Sequence, residues 1–463
     1  MKKKTILLIA VLALALLPAA ALAQTEFSLG GFIKLDSWWG STQAGKNLNT
    51  AIARNNNINF HHGKFNMTAQ GSRFNFTIKG PKLWGATVTG FIEMDFDQQA
   101  DNRTSSHSYT PRLRHAMFRL NWPETELLFG QYWSMFCEYY PESVQDGPFM
   151  FHGVPTARLA QVRVTQKFLG SWTASGLIGV ATDTTDGDTT DALGAASLNA
   201  QSSETPQLQG KIAFEQDLWG KAPFYGKPRG FVAQVVGGWQ RTRYRNLNNA
   251  FVPAWIFGFG PVENQLFPVP GGIHVRDQQY LDPWMVQGTL FIPVIPTYSA
   301  NLAGTASVTA QWYMGQGLAA FGETRDADNS WFHRMGPGLD YDRTLMKAFG
   351  GYVQGQYYFN NQWYMNVAWG MQKHYGIDRD FAAYATATGA TGAASDQTKT
   401  WWELDATLWY RPITAIKFGL QYAYSKTDWL QKAGPNVAVA PGAQKVSDNG
   451  EDHRVQFVGL YFF

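Results

Sequence analysis

The sequence predicts a transmembrane antiparallel β-barrel of about 16 strands. Three observations lead there. The chain opens on an export signal, its apolar residues alternate with polar ones at a period of two, and its last segment finishes on an aromatic residue.

The signal occupies residues 1–23. Lys2, Lys3 and Lys4 precede a nearly pure apolar run from Thr5 to Leu17, and Ala21-Leu22-Ala23 supplies the small-x-small cleavage pattern. Cleavage there leaves Gln24 at the mature N-terminus, with 24–463 forming one barrel domain. Beyond Ala23 no apolar stretch approaches the roughly 18 residues of a membrane helix. Yet 15% of the chain is aromatic, with 18 Trp and 46 Gly. Apolar residues at every second position and aromatic girdles at both interfaces demand that mixture.

Charge and motifs exclude several function classes. The chain has 38 Lys+Arg against 35 Asp+Glu, and removal of the three leader lysines leaves a formally neutral mature protein. That argues against a nucleic-acid partner. One cysteine, Cys137, permits no intrachain disulfide and no C-x-x-C-H haem attachment. The nine histidines are scattered, and no G-x-S-x-G or H-E-x-x-H is present, so no enzyme and no cofactor is predicted.

The alternation is legible strand by strand. In the last, Val455, Phe457, Gly459, Tyr461 and Phe463 share one face. Trp402, Leu404, Ala406, Leu408 and Tyr410 oppose Glu403, Asp405 and Thr407. Ile416, Phe418, Leu420, Tyr422 and Tyr424 oppose Lys417 and Gln421, and Leu208, Gly210, Ile212 and Phe214 oppose Gln209, Lys211 and Glu215. Charges keep to one face, which in a lipid-embedded barrel points into the lumen. The predicted strands are 27–38, 63–80, 84–97, 111–121, 125–133, 158–168, 171–181, 206–216, 229–241, 281–294, 302–314, 345–359, 362–373, 399–410, 415–425 and 453–463. In the second, the apolar face switches from Phe65, Met67 and Ala69 to Phe74, Phe76 and Ile78, which one extra residue at Gln70-Gly71-Ser72 explains. Short connections (Pro81-Lys82-Leu83, Trp122-Pro123-Glu124, Asn360-Asn361, Arg411-Pro412-Ile413-Thr414) alternate with long ones (39–62, 134–157, 182–205, 242–280, 315–344, 374–398, 426–452). Short periplasmic turns and long external loops fit this class. The 217–228 connection is long for a turn and has no explanation at this level.

Gly31-Phe32-Ile33-Lys34-Leu35-Asp36, Ser72-Arg73-Phe74-Asn75-Phe76, Gly90-Phe91-Ile92-Glu93-Met94-Asp95-Phe96, Leu128-Phe129-Gly130-Gln131-Tyr132-Trp133-Ser134 and Arg158-Leu159-Ala160-Gln161-Val162-Arg163 follow one another in this order. Together they resemble the trimeric Gram-negative porins, the DcaP-like family above all. The resemblance is clearest from Phe27 to about Lys167 and returns at the C-terminus. It implies a homotrimer of 16-stranded barrels in a Gram-negative outer membrane, with the third external loop, 134–157, folded inward. It also implies passive diffusion of small polar solutes, with anionic ones such as carboxylates favoured by some members. The chain lacks the helical N-terminal extension of some relatives.

Parity then nominates lumen residues. These are Ser28, Lys34 and Asp36 in the first strand, Arg73, Asn75, Thr77 and Lys79 in the second, Glu93 and Asp95 in the third, and Gln161, Arg163 and Thr165 in the sixth. Arg158 stands where the third loop rejoins the barrel. Parity leaves Arg112, Arg114 and Arg119 open. Opposed basic and acidic rows orient dipolar solutes in a narrow pore. The plainer reading makes Lys34–Asp36 and Arg73–Glu93 buried wall pairs. In the third loop, Glu138, Glu142 and Asp146 are candidate partners for the arginines, while Phe149, Phe151 and His152 suit anchoring against the wall. Cys137 reads as a shielded free thiol. Asp183, Asp186, Asp188 and Asp191 crowd around Gly187 and are a weak Ca²⁺ candidate, with a solvated loop the ordinary explanation. The alternative to a channel is a scaffold barrel, namely an adhesin, an outer-membrane enzyme or a sheath for an electron-transfer partner.

Overall fold

The structure is a computed structural model. It describes residues 25–45, 52, 55, 57, 59–97, 110–145, 153–181, 205–245, 274–275, 278–322, 330–334, 340–375, 398–429 and 449–463. Residues 1–24, Asp146 to His152 and the Asp183–Asp191 cluster lie outside these.

One antiparallel sheet closes on itself as 16 strands, since two of its 17 segments are halves of one strand. They are β1 (Glu26–Gly40), β2 (Lys64–Thr68 and Arg73–Leu83), β3 (Ala86–Asp95), β4 (Arg112–Asn121), β5 (Thr125–Trp133), β6 (Arg158–Phe168), β7 (Trp172–Ala181) and β8 (Gln207–Gln216). There follow β9 (Phe231–Trp239), β10 (Trp284–Ile295), β11 (Ala306–Gln316), β12 (Lys347–Tyr358), β13 (Trp363–Tyr375), β14 (Thr398–Ile413), β15 (Ile416–Trp429) and β16 (Asn449–Phe462). Each strand pairs with its neighbour in sequence, and β1 pairs with β16 to close the barrel.

Period-two alternation becomes two surfaces. On β1, Phe27, Leu29, Ile33 and Leu35 point outward and are exposed, while Lys34 and Asp36 are buried inside. The same division holds on β14, where Leu404 and Leu408 face out and Glu403, Asp405 and Thr407 face in. An apolar wall of this extent is stable only in lipid.

The predicted extra residue in β2 is present. Phe32 and Asp36 are four positions apart on β1, yet their partners Arg73 and Thr68 are five apart on β2. The Ser72 hydroxyl accepts a hydrogen bond from the Lys34 amide at 3.0 Å and so fills the gap in the ladder.

Two turns fall later than the prolines suggest. β2 runs through Pro81 to Leu83 and turns at Trp84-Gly85, and β14 runs through Pro412 to Ile413. In both cases the proline lies in a register shift (Lys79/Lys82 and Tyr410/Ile413), where a missing N–H breaks no ladder bond. Gly85 accepts a φ of +79° at the tight turn.

The lumen is substantially filled. Met135 and Phe136 at the start of the third loop pack with Leu159, Val236, Met285, Tyr313 and the short 3-10 segment Leu318–Phe321 of the connection between β11 and β12. Ala44 and Ile52 of the first loop pack on Ala423 of β15.

Candidate solute channel

The third loop leaves β5 at Trp133 and crosses the interior. Ser134 caps the turn Met135–Cys137 by accepting from the Phe136 amide, and Gln209 of β8 accepts from the Met135 amide at 2.9 Å. Glu138 meets Lys211 of β8 at 2.6 Å and Arg163 of β6 at 3.6 Å. The chain then reaches the opposite wall. Gln354 of β12 donates to the Glu142 carbonyl and accepts from its amide, and Asn366 of β13 also donates to that carbonyl. The Glu142 carboxylate accepts from Gln356 and from the Tyr364 hydroxyl, each at 2.7 Å, and is ion-paired with Lys417 of β15. Val144 accepts from Lys34 at 3.1 Å, and Gln421 accepts from the Val144 amide at 2.9 Å. A polar loop inside a barrel must satisfy its backbone groups on the wall, and these amides do so.

Opposite lies a charged sector on β2 to β6. A bulge in β4 governs it. Glu93 pairs with His115 and Met94 with Leu113, so Arg114 is the additional residue. Arg112 pairs with the inward Asp95 and Arg119 with Thr89, which puts Arg112, Arg114 and Arg119 together on the lumen side. Arg114 bridges Glu93 at 2.8 Å and Asp95 at 2.6 Å, and Arg112 holds Asp95 through two of its nitrogens, at 2.9 and 2.8 Å. Such bidentate, charge-assisted bonds fix the guanidinium planes.

The nominated residues fall into separate groups. Lys34 and Asp36 pair at 3.0 Å beneath the far end of the third loop. Arg73 lies 3.5 Å from Glu93 and over the Phe32 ring, joining the Glu93–Asp95 cluster. Gln161 accepts from the Arg163 Nε at 3.0 Å, beside Glu138. Arg158 has the opposite parity to Arg163; its guanidinium lies 5.4 Å from the Trp133 ring, which Arg114 approaches at 5.5 Å. Lys79 is apart from all of these, paired with Glu26 at the exposed short-turn rim.

Access to solvent is uneven around the barrel. The side chains of Arg73, Arg112, Arg119 and Glu126 keep 20–30% of their surface exposed within the charged sector. Across the lumen, Gln311, Tyr352, Asn366, Thr407 and Gln421 keep at most 1%. Cys137 is sealed: its thiol donates to the Pro155 carbonyl at 3.0 Å, and burial pushes its pKa up to about 12.

Known structures share this architecture. The outer membrane channel DcaP of Acinetobacter baumannii superposes with a TM-score of 0.62 at 18% identity, over 95% of this chain and 98% of that one. The fold is that of the outer-membrane porins. An anion-selective porin from Comamonas acidovorans matches at TM-score 0.51 and 10% identity, over 95% and 100% of the two chains. Salmonella typhi OmpF in complex with daunomycin matches at 0.50 and 10%, over 94% and 97%. No family model and no curated protein matches the chain.

The porin fold leaves the sequence reading short in two places. The inward set on β4 was hidden by the Arg114 bulge, for which the only signal is the crowding of Arg112, Arg114 and His115. Glu142 faces Lys417 rather than the arginines, a partnership across 275 positions that no local spacing reveals.

Proposed function

We propose that this protein is an outer-membrane porin, a water-filled channel through which small polar solutes diffuse passively. The observation that carries the reading is the solvent-accessible charged sector of β2 to β6 inside an apolar-walled barrel. Export by a signal at residues 1–23, residence in the outer membrane of a Gram-negative bacterium and assembly as a homotrimer complete it. Its partners are the lipid bilayer, two further copies and the diffusing solutes; nucleic acid and cofactors have no part.

A weak preference for anions, small carboxylates included, follows from the local balance. Arg73, Arg112, Arg114, Arg119 and Arg163 gather in this sector, with Arg158 beside them at Trp133, against Glu93, Asp95, Asp97, Glu126 and the third loop's Glu138, six cations to five anions. An excess of cationic groups stabilises a partly dehydrated anion. The Lys34–Asp36 pair is neutral in sum, and Lys79 acts only at the rim.

Single-channel recording in planar bilayers tests the reading. Stepwise conductance is expected; a folded barrel without steps would be a scaffold for adhesion, catalysis or an electron-transfer partner. Reversal potentials in a salt gradient test selectivity. An unchanged value in Arg158→Ala/Arg163→Ala would assign those arginines to the wall. Native mass spectrometry in mild detergent should show three protomers, and a stable monomer would exclude the trimer.

A further inference from the structure

The connection between β8 and β9 is, among the described residues, the only short-end connection with strands of its own. Ala222–Phe224 pairs with Lys227–Arg229 around Tyr225-Gly226. Both turn residues have positive φ, 52° and 73°, the geometry of a tight two-residue hairpin. An isolated two-stranded hairpin is marginal in water, so this one needs a surface to lie on. It lies inside the barrel. Ser307, an inward residue of β11, donates to the Pro223 carbonyl at 2.8 Å. The Phe224 ring stands edge-on to Phe291 of β10 at 5.7 Å and packs on Tyr139 of the third loop at 5.4 Å. Tyr225 packs on Tyr140 at 5.0 Å and donates its hydroxyl to the Pro141 carbonyl at 2.8 Å. At the tip, a Cβ on Gly226 would stand 3.5 Å from Arg411 of β14 and 3.8 Å from the Tyr358 hydroxyl of β12. The hairpin therefore starts between β8 and β9 and reaches past β10 and β11 to the far side. At its base, Arg229 grips Glu215 at 2.9 Å and covers the Tyr139 ring at 4.8 Å.

We propose that this hairpin is a second filter of the channel, on the periplasmic side of the third loop. It blocks the β9–β12 side of the lumen from below and supports the loop at Tyr139, Tyr140 and Pro141. Solutes are thereby confined to the charged sector, and the size limit is set by hairpin and loop together. The inference rests on the channel reading of the preceding section.

The test compares wild type with two variants. In one, residues 222–229 are replaced by a short Gly-Ser turn; in the other, Tyr225→Ser keeps the hairpin and removes the ring and its bond to Pro141. Heat-modifiable gel migration establishes that each has folded. The readouts are single-channel conductance and the size of neutral polymer excluded from each side. The shortened variant should conduct about twofold more and admit larger polymers from the periplasmic side, while Tyr225→Ser should flicker as the loop loses its support. Conductance in the shortened variant alone would make the hairpin a plug of a closed barrel and overturn both the filter proposal and the channel reading of the wild-type protein. Equal conductance, cut-off and noise in all three folded proteins would overturn it. Silence in all three would overturn the channel reading itself. If the shortened variant fails to fold, the noise of Tyr225→Ser decides.

Discussion

The Tyr364 hydroxyl, on β13, donates a 2.7 Å hydrogen bond to the carboxylate of Glu142 at the far end of the third loop. The same carboxylate receives Lys417 and Gln356, so one side chain fastens the loop to three strands. Both charges of the pair are largely buried. Removing one partner leaves the other uncompensated, which costs about 3–5 kcal/mol. Glu142→Ala should therefore lower the temperature at which folded migration is lost on gels, and its channels should be noisier. A melting profile and noise equal to wild type would show that the loop is held elsewhere.

Arg114 is shared between Glu93 and Asp95. In Arg114→Gln the two carboxylates retain only Arg73 and Arg112 for neutralisation. The expected outcome is a shift of the reversal potential toward cations, together with a stability loss of about 3 kcal/mol. The measurement is zero-current potential across a salt gradient, with denaturant unfolding in detergent for the second effect.

Gly238, inward on β9, lies against two rings. A Cβ there would stand 2.7 Å from Phe321 Cε1 and 2.8 Å from Phe136 Cε2. Overpacking of this kind costs about 1–3 kcal/mol. Gly238→Leu should displace the start of the third loop and change conductance, with Gly238→Ala intermediate. A conductance series that does not follow side-chain size would contradict the packing.

Cys137 should be inert while the barrel is folded. With its pKa raised to about 12, the thiol stays protonated across the ordinary pH range, and its neighbours bury it fully. Maleimide at pH 8 should label only heat-denatured protein. Rapid labelling of the folded form would place the thiol on a solvent path.

How much of this the sequence reveals depends on the range of the interaction. Alternation in Trp401–Tyr410 or Ile416–Tyr424 is local, because each residue faces lipid or lumen by its own parity. The break at Gln70-Gly71-Ser72 is legible for the same reason: an extra residue inverts the apolar face for everything after it. The Arg114 bulge escapes because it adds a cation beside a cation, and no apolar residue changes side to mark it. Prolines 81 and 412 mislead in the other direction, as they are tolerated in strands where the ladder has already slipped. The hairpin at 222–229 carries a turn signal in Tyr225-Gly226, but its inward direction is decided by Tyr139, Tyr140 and Pro141, more than 80 positions away.

Closure between β1 and β16 has a consequence for how the molecule comes into being. The seam consists of nine partner pairs from Phe32↔Phe462 to Gly40↔Arg454, and within it Gln456 donates to Asp36 across 420 positions. No local hairpin can stand in for those contacts. The first strand must keep its edge unsatisfied until the last arrives, and nearly the whole chain is the loop being closed. Assembly is therefore slow and late-committing, and the period before the seam zips is when an open β1 edge is available to another chain.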